Sequence, residues 1–191
     1  MPNIQWLLLL ALLAPGSVGQ AQTPQASKEE ARIFKVFTAR VQQYIKLRTN
    51  VAASLPALKP TNDAARITEY QHSLARKVAQ ARSGAHQGDI FTDEVARRFR
   101  RIIRGEFQGP DGELARMTIR PEGLSRAIAR LRVNDVYPED LPLTTTPPGL
   151  LSKLPELPEE LAYRIVGRDL TLKDTVAGLI VDLIPNAIPV P

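Results

Sequence analysis

Five arginines, Arg97, Arg98, Arg100, Arg101 and Arg104, fall within eight positions. Guanidinium groups are planar, permanently charged and matched to phosphate and carboxylate oxygens, which makes this run the candidate anion contact. At 100° per residue they cover one side of a helix, and Val95, Phe99, Ile102, Ile103 and Phe107 cover the other. A basic amphipathic helix of this kind suits an anionic membrane surface. The same pattern also describes a solvated arginine face above an ordinary core-facing stripe. A second cluster is acidic: Asp135, Glu139 and Asp140, beside Tyr137. Paired carboxylates can cleave a glycosidic bond, but that chemistry also needs a cleft and stacking aromatics, and the chain is only 5% aromatic. The alternative is a solvated acidic loop. A third feature is the pair Arg48 and Gln71, polar residues inside otherwise apolar helical stripes, where a buried polar layer would fix register. Arg48 could instead extend to the rim of the helix pair, or take a carboxylate from the C-terminal half.

Other chemistries are limited by what the 191 residues hold. There is no Cys and there are only two His, His72 and His86, so thiolate nucleophiles, disulfides, Cys-based zinc sites and multi-histidine metal centres are all excluded. No nucleophile elbow, zinc-protease helix, phosphate loop or dinucleotide fingerprint occurs. Asp111-Gly112-Glu113 lacks the ligand spacing of a calcium loop. Nothing calls for a cofactor. Nucleic acid is not expected as a partner, because the basic residues are not interleaved with aromatics.

The elements that must position these residues follow from periodicity. Residues 6–14 are continuously apolar, too short to span a bilayer, and Gly19-Gln20-Ala21 fits a small-x-small cleavage site. Residues 1–21 therefore read as a signal peptide for export to the periplasm or beyond. No Lys or Arg precedes Lys28, so the amino group alone is positive. Left uncleaved, the same segment would anchor the protein to the membrane. Residues 22–26 form a polar leader. Ser27-Lys28-Glu29-Glu30 is a capping box opening a long helix that Pro56 and Pro60 end. A second helix, capped by Thr61 or Asn62, runs through Ser83. A short Pro-containing turn makes the two an antiparallel hairpin, with Leu55 facing Ala64, Ile45 facing Leu74 and Val41 facing Val78. Thr92 caps the arginine helix, which runs to about Glu106. A short segment covers residues 114–119 and a fourth helix residues 122–132. Together, residues 27–133 make a helical body.

From residue 134 the composition changes, with nine of the sixteen prolines in residues 134–191. Residues 134–160 read as a Pro-rich connecting strap, extended and wrapped on the surface. Residues 161–191 read as an antiparallel meander. A two-residue turn at Gly167-Arg168 pairs Ile165 with Leu170 and Tyr163 with Leu172 on one face. It pairs Arg164 with Thr171, Val166 with Asp169 and Ala162 with Lys173 on the other. That separation of apolar from polar describes a half-buried hairpin. A second turn, Asp174 to Gly178 with Gly178 left-handed, leads to a more buried strand over residues 179–184. Helical spacing also fits residues 176–184, but their β-branched content favours a strand. That strand, as a free sheet edge, could pair with another chain. The fold class expected is α+β.

The segments Leu154-Pro155-Glu156-Leu157-Pro158, Tyr163-Arg164, Val166-Gly167-Arg168-Asp169-Leu170 and Leu179-Ile180-Val181-Asp182 resemble a group of small exported bacterial proteins of unknown function. So do Gln87-Gly88-Asp89-Ile90-Phe91 and Val136-Tyr137-Pro138. The resemblance covers most of the mature chain. It implies an exported location and a shared fold, and no activity or site residue.

Charge divides along the chain. Residues 28–133 carry 21 Lys and Arg against 11 Asp and Glu, whereas residues 134–191 carry 4 against 9. The acidic part could lie against the basic helices and pair with them, or leave a basic surface open. The open surface implies a non-catalytic binding or scaffolding protein, with an anionic membrane or an acidic envelope protein as partner. The acidic loop implies a small periplasmic hydrolase instead.

Overall fold

A computed structural model describes residues 24–110, 112–119, 131–137 and 146–189. The expected signal peptide, residues Glu139 and Asp140 and nearly all of the expected fourth helix lie outside the described residues. The last two residues of that helix, Leu131 and Arg132, are described and are not helical. The chain is α+β: α1 (Pro24–Ala53), α2 (Ala64–Ala81), α3 (Asp93–Gln108), α4 (Gly112–Thr118), α5 (Pro148–Leu151), then β1 (Leu161–Val166), β2 (Asp169–Asp174) and β3 (Ile180–Ile184).

The helices start and stop for local reasons, not always those expected. α1 already includes Pro24, so Ser27 lies inside it and caps nothing. α2 is capped by Asp63, whose carboxylate accepts from the Ala65 and Arg66 amides, in place of Thr61 or Asn62. Thr92 caps α3 as its sequence implies, accepting from Val95 N–H, with Asp93 and Glu94 in the positive first turn.

The α1–α2 connection is not a tight turn but the ten residues 54–63. α2 is displaced accordingly. Arg82, eight residues past Leu74, lies over the Tyr44 ring beside Ile45, a shift of about two helical turns from the expected register. Lys77 reaches Ser54 across the pair at 3.4 Å.

The meander follows the expected pattern. β1 pairs antiparallel with β2 in the register drawn from the Gly167-Arg168 turn, Val166 opposite Asp169 through Ala162 opposite Lys173. Gly167 and Gly178 both take positive φ, 57° and 66°, the region in which a Cβ is disfavoured. Residues 180–184 form a strand, and all five are buried. The hairpin is not half-buried, however. Val166, Ile180 and Leu183 form a second apolar cluster with Tyr137 on the outer face. Nor is the β3 edge free at its start. Asn134 N–H donates to Ile180 O at 2.9 Å, Ile180 N–H to Asp135 O at 2.9 Å, and Tyr137 N–H to Gly178 O at 2.7 Å. The segment after Thr146 departs from an extended surface strap as well. It contains the helical turn α5 and buries Thr146, Leu150 and Leu154.

The main core lies between sheet and helices. Phe37 of α1, Phe91 before α3, Phe99 of α3 and Tyr163 of β1 form one aromatic cluster, with ring centroids 5.2–6.3 Å apart. Phe99 touches all three of the others, and Phe34 meets its edge at 6.2 Å. Phe99→Ala should therefore lower unfolding free energy by about 3–5 kcal/mol. Half-buried Phe34→Ala should lower it by roughly 1–2 kcal/mol, in proportion to the area withdrawn from water. Urea unfolding of the two variants checks this, and equal losses would place the centre of the cluster elsewhere.

Candidate anion-contact surface and its buried support

The polar centre beneath the helices is built around Asp174, the last residue of β2, which is fully buried. Period-two alternation places it on the face of Leu170 and Leu172, toward the helices. Its Oδ2 accepts from Arg48 Nε and from the Tyr44 hydroxyl, both at 2.7 Å. Its Oδ1 accepts from the Val176 and Ala177 amides at 3.0 and 2.8 Å, which closes the turn into β3. Tyr44 and Arg48 are four residues apart on α1 and so share one face. Burial, reinforced by the Asp174 charge, pushes the Tyr44 hydroxyl well above its ordinary range, which keeps it protonated as a donor. Arg48 thus faces a carboxylate of the sheet. Gln71 is half-buried on α2 and is not hydrogen-bonded to it; the displaced α2 register separates the two.

Asp182 of β3 is equally buried, and among the described residues no cation is bonded to it. Four backbone N–H groups hold it. Gly88 and Leu183 donate to Oδ1 at 2.9 and 2.7 Å, and Ile90 and Phe91 to Oδ2, both at 2.8 Å. Burial pushes its carboxyl upward, and the four amides pull against that. The segment Gln87-Gly88-Asp89-Ile90-Phe91 is therefore a cradle for a carboxylate of its own chain. It also delivers Phe91 to the aromatic cluster and leads into the Thr92 cap of α3.

The five arginines of α3 divide into two groups. Arg98 is partly covered and pairs with Glu30 of α1, its Nε at 3.0 Å. Arg100 is partly covered and donates to Pro185 O at 3.2 Å. Arg97, Arg101 and Arg104 are exposed. Their spacing of four and three residues puts them along one ridge of the helix, and among the described residues no carboxylate pairs with any of them. The acidic C-terminal part does not cover this ridge with its described carboxylates. Asp174 and Asp182 are engaged as above, and Asp169 accepts from Asn186 N–H at 2.8 Å. Near the end of α3, buried Glu106 pairs with Lys153 at 2.5 Å.

Of the acidic cluster, Asp135 is exposed, and its carboxylate accepts from Arg132 N–H at 2.8 Å within its own turn. His72 and His86 are both exposed. Among the described residues, no group of three or more potential metal ligands gathers, and no helix is long and apolar enough to cross a membrane.

Sequence reasoning missed Asp182, Tyr44, Arg82 and Asn134, and placed Asp174 only as the start of a turn. A signal was present for Asp182: a lone carboxylate interrupting Leu179-Ile180-Val181 and Leu183-Ile184. Compared with known proteins, the chain matches no family model, no curated protein and no solved structure.

Two substitutions measure the buried support. Arg48→Leu leaves Asp174 buried without its cation and should lower stability by about 3–5 kcal/mol. In Arg48→Leu/Asp174→Asn, part of that loss should return. Asp182→Asn turns an NH2 group toward amides that can only donate, and should lower stability by roughly 2–4 kcal/mol. Urea unfolding reads all three, and a neutral Arg48→Leu would mean the Asp174 pair contributes nothing to folding.

Proposed function

We propose that the protein is exported to the cell envelope and acts without catalysis, as a binding or scaffolding protein resting on an anionic membrane surface through α3. One observation carries this reading: Arg97, Arg101 and Arg104 stand exposed on a single ridge, with no carboxylate partner among the described residues. Permanently charged side chains aligned in this way suit a plane of phosphate groups. The next element supports the same contact. α4 leaves Leu114 and Met117 exposed at 62% and 64%, three residues apart, apolar side chains of a length that can enter the headgroup boundary. Export rests on the apolar run of residues 6–14, the small-x-small site at Gly19-Gln20-Ala21, and the resemblance to small exported bacterial proteins. The hydrolase reading is the weaker one, because the Asp135 carboxylate serves its own turn.

Co-sedimentation with vesicles tests the proposal. The protein should pellet with phosphatidylglycerol-containing vesicles at low salt, release at high salt, and ignore pure phosphatidylcholine. Each basic side chain near an anionic surface contributes about 1 kcal/mol. Changing Arg97, Arg101 and Arg104 together to Gln should therefore weaken binding roughly 100-fold. Binding that is indifferent to salt, or retained by that variant, would remove the ridge as the contact.

A further inference from the structure

A cleft of about 300 Å³ opens between α1, the end of α2 and the loop before α3. Arg40, Tyr44 and Leu47 line it from α1, Arg82 from beyond α2, and Asp89 and Ile90 from the loop. The charge state of Arg82 sets this cleft apart. Its guanidinium is half-buried, and among the described residues its hydrogen-bond acceptors are neutral. Nη1 donates to Asn134 Oδ1 at 3.1 Å, Nη2 donates to Val181 O at 3.0 Å, and the group lies 5.0 Å from the centroid of the Tyr44 ring. Among the described residues no carboxylate pairs with it. Burial pulls its pKa down, and the charges of Asp182 and Asp89 act against that without a hydrogen bond to it. Asp182, whose charge acts on Arg82 from the sheet, is already held by four amides. A guanidinium has five N–H donors, so the two bonds just described leave capacity for a further acceptor.

The rest of the lining defines what that acceptor would belong to. Arg40 adds a second, exposed guanidinium. Among the described lining residues Asp89 supplies the one carboxylate, and it already accepts from His86 N–H at 2.9 Å. The cleft thus carries two cations against one anion. Its remaining walls are the Tyr44 ring, Leu47 and Ile90, with the polar side chain of Gln43 beside them. Leu47 also lines an adjoining hollow of about 540 Å³ that runs along α1 past Val51, which gives an apolar body room beyond the head. A polyanion would meet Asp89, and a bare inorganic ion would leave the apolar walls unused.

We propose that this cleft binds a small organic anion, a carboxylate or phosphate head on an apolar body, with Arg40 and Arg82 on the head and Leu47 along the body. The site uses none of the α3 arginines, so it stands or falls separately from membrane contact.

Amide-detected NMR titration of the purified protein tests it, with phenyl phosphate, phenylacetate and inorganic phosphate as probes. One or both organic anions should give saturable shifts at Tyr44, Leu47 and Ile90. Phenyl phosphate alone assigns a phosphate head, and phenylacetate alone a carboxylate head. Arg40 is exposed, so Arg40→Gln should fold normally and bind the successful probe about ten-fold more weakly. The variant with Arg97, Arg101 and Arg104 changed to Gln should bind it unchanged. No saturation by either organic anion up to about 10 mM, weaker than any useful affinity, would overturn the proposal. So would affinity untouched by Arg40→Gln, or inorganic phosphate binding as tightly as phenyl phosphate.

Discussion

Asp174 and Asp182 are fully buried on a sheet of three described strands, and a bare carboxylate in either place would oppose folding by several kcal/mol. The sheet compensates neither through its strand pairing. α1 reaches Asp174 with Arg48 and Tyr44, and the loop before α3 reaches Asp182 with the amides of Gly88, Ile90 and Phe91. The meander therefore cannot bury its inner face until the helices are in place. The helices in turn need Tyr163 of β1 to complete the aromatic cluster. Helical half and sheet are bound into one cooperative unit by charge as much as by apolar area.

The candidate surface depends on the same constraint. Asp182 fixes the loop at residues 88–91, that loop sets Phe91 against Phe37 and Phe99, and Thr92 starts α3 one residue later. The azimuth of α3 is then set by Val95, Phe99 and Ile103, all buried. Which arginines remain outside follows from that azimuth. Arg98 and Arg100 flank the buried stripe closely enough to meet Glu30 and Pro185 O, while Arg97, Arg101 and Arg104 do not.

Legibility in the sequence followed the length of chain over which a pattern is local. The β1–β2 register was readable in full, because alternation of period two and one glycine turn determine it within twelve residues. The Thr92 cap and the extent of α3 were readable for the same reason. The α1–α2 register was not, because it depends on how ten loop residues run before α2 begins, and no local periodicity encodes that path. The burial of the segment after Thr146 was hidden by its prolines, which exclude a long helix but do not exclude Leu150 and Leu154 entering the core. Arg48 was visible as an anomaly in an apolar stripe. Its partner was not, since Asp174 lies 126 residues away. The cleft at Arg82 left no local trace, because α1, the loop and residue 134 meet there only in the folded chain.

The charge division along the chain gains its meaning from where the acids go. Residues 134–191 hold nine Asp and Glu, but three of them, Asp169, Asp174 and Asp182, serve backbone amides or Arg48 inside the sheet region. Asp135 serves a turn. Acids consumed in this way cannot shield the basic helical half. Across the described residues, the ion pairs linking the two halves are Arg48 with Asp174 and Lys153 with Glu106, and in the second the helical half supplies the acid. Net charge alone would not make a contact, because exposed charges are screened beyond about 8 Å at physiological ionic strength. Local geometry decides it. Among the described residues, positive charge gathers in places that differ in shape, among them a convex ridge at Arg97, Arg101 and Arg104, suited to a plane of anions, and a concave site at Arg40 and Arg82, suited to a single one.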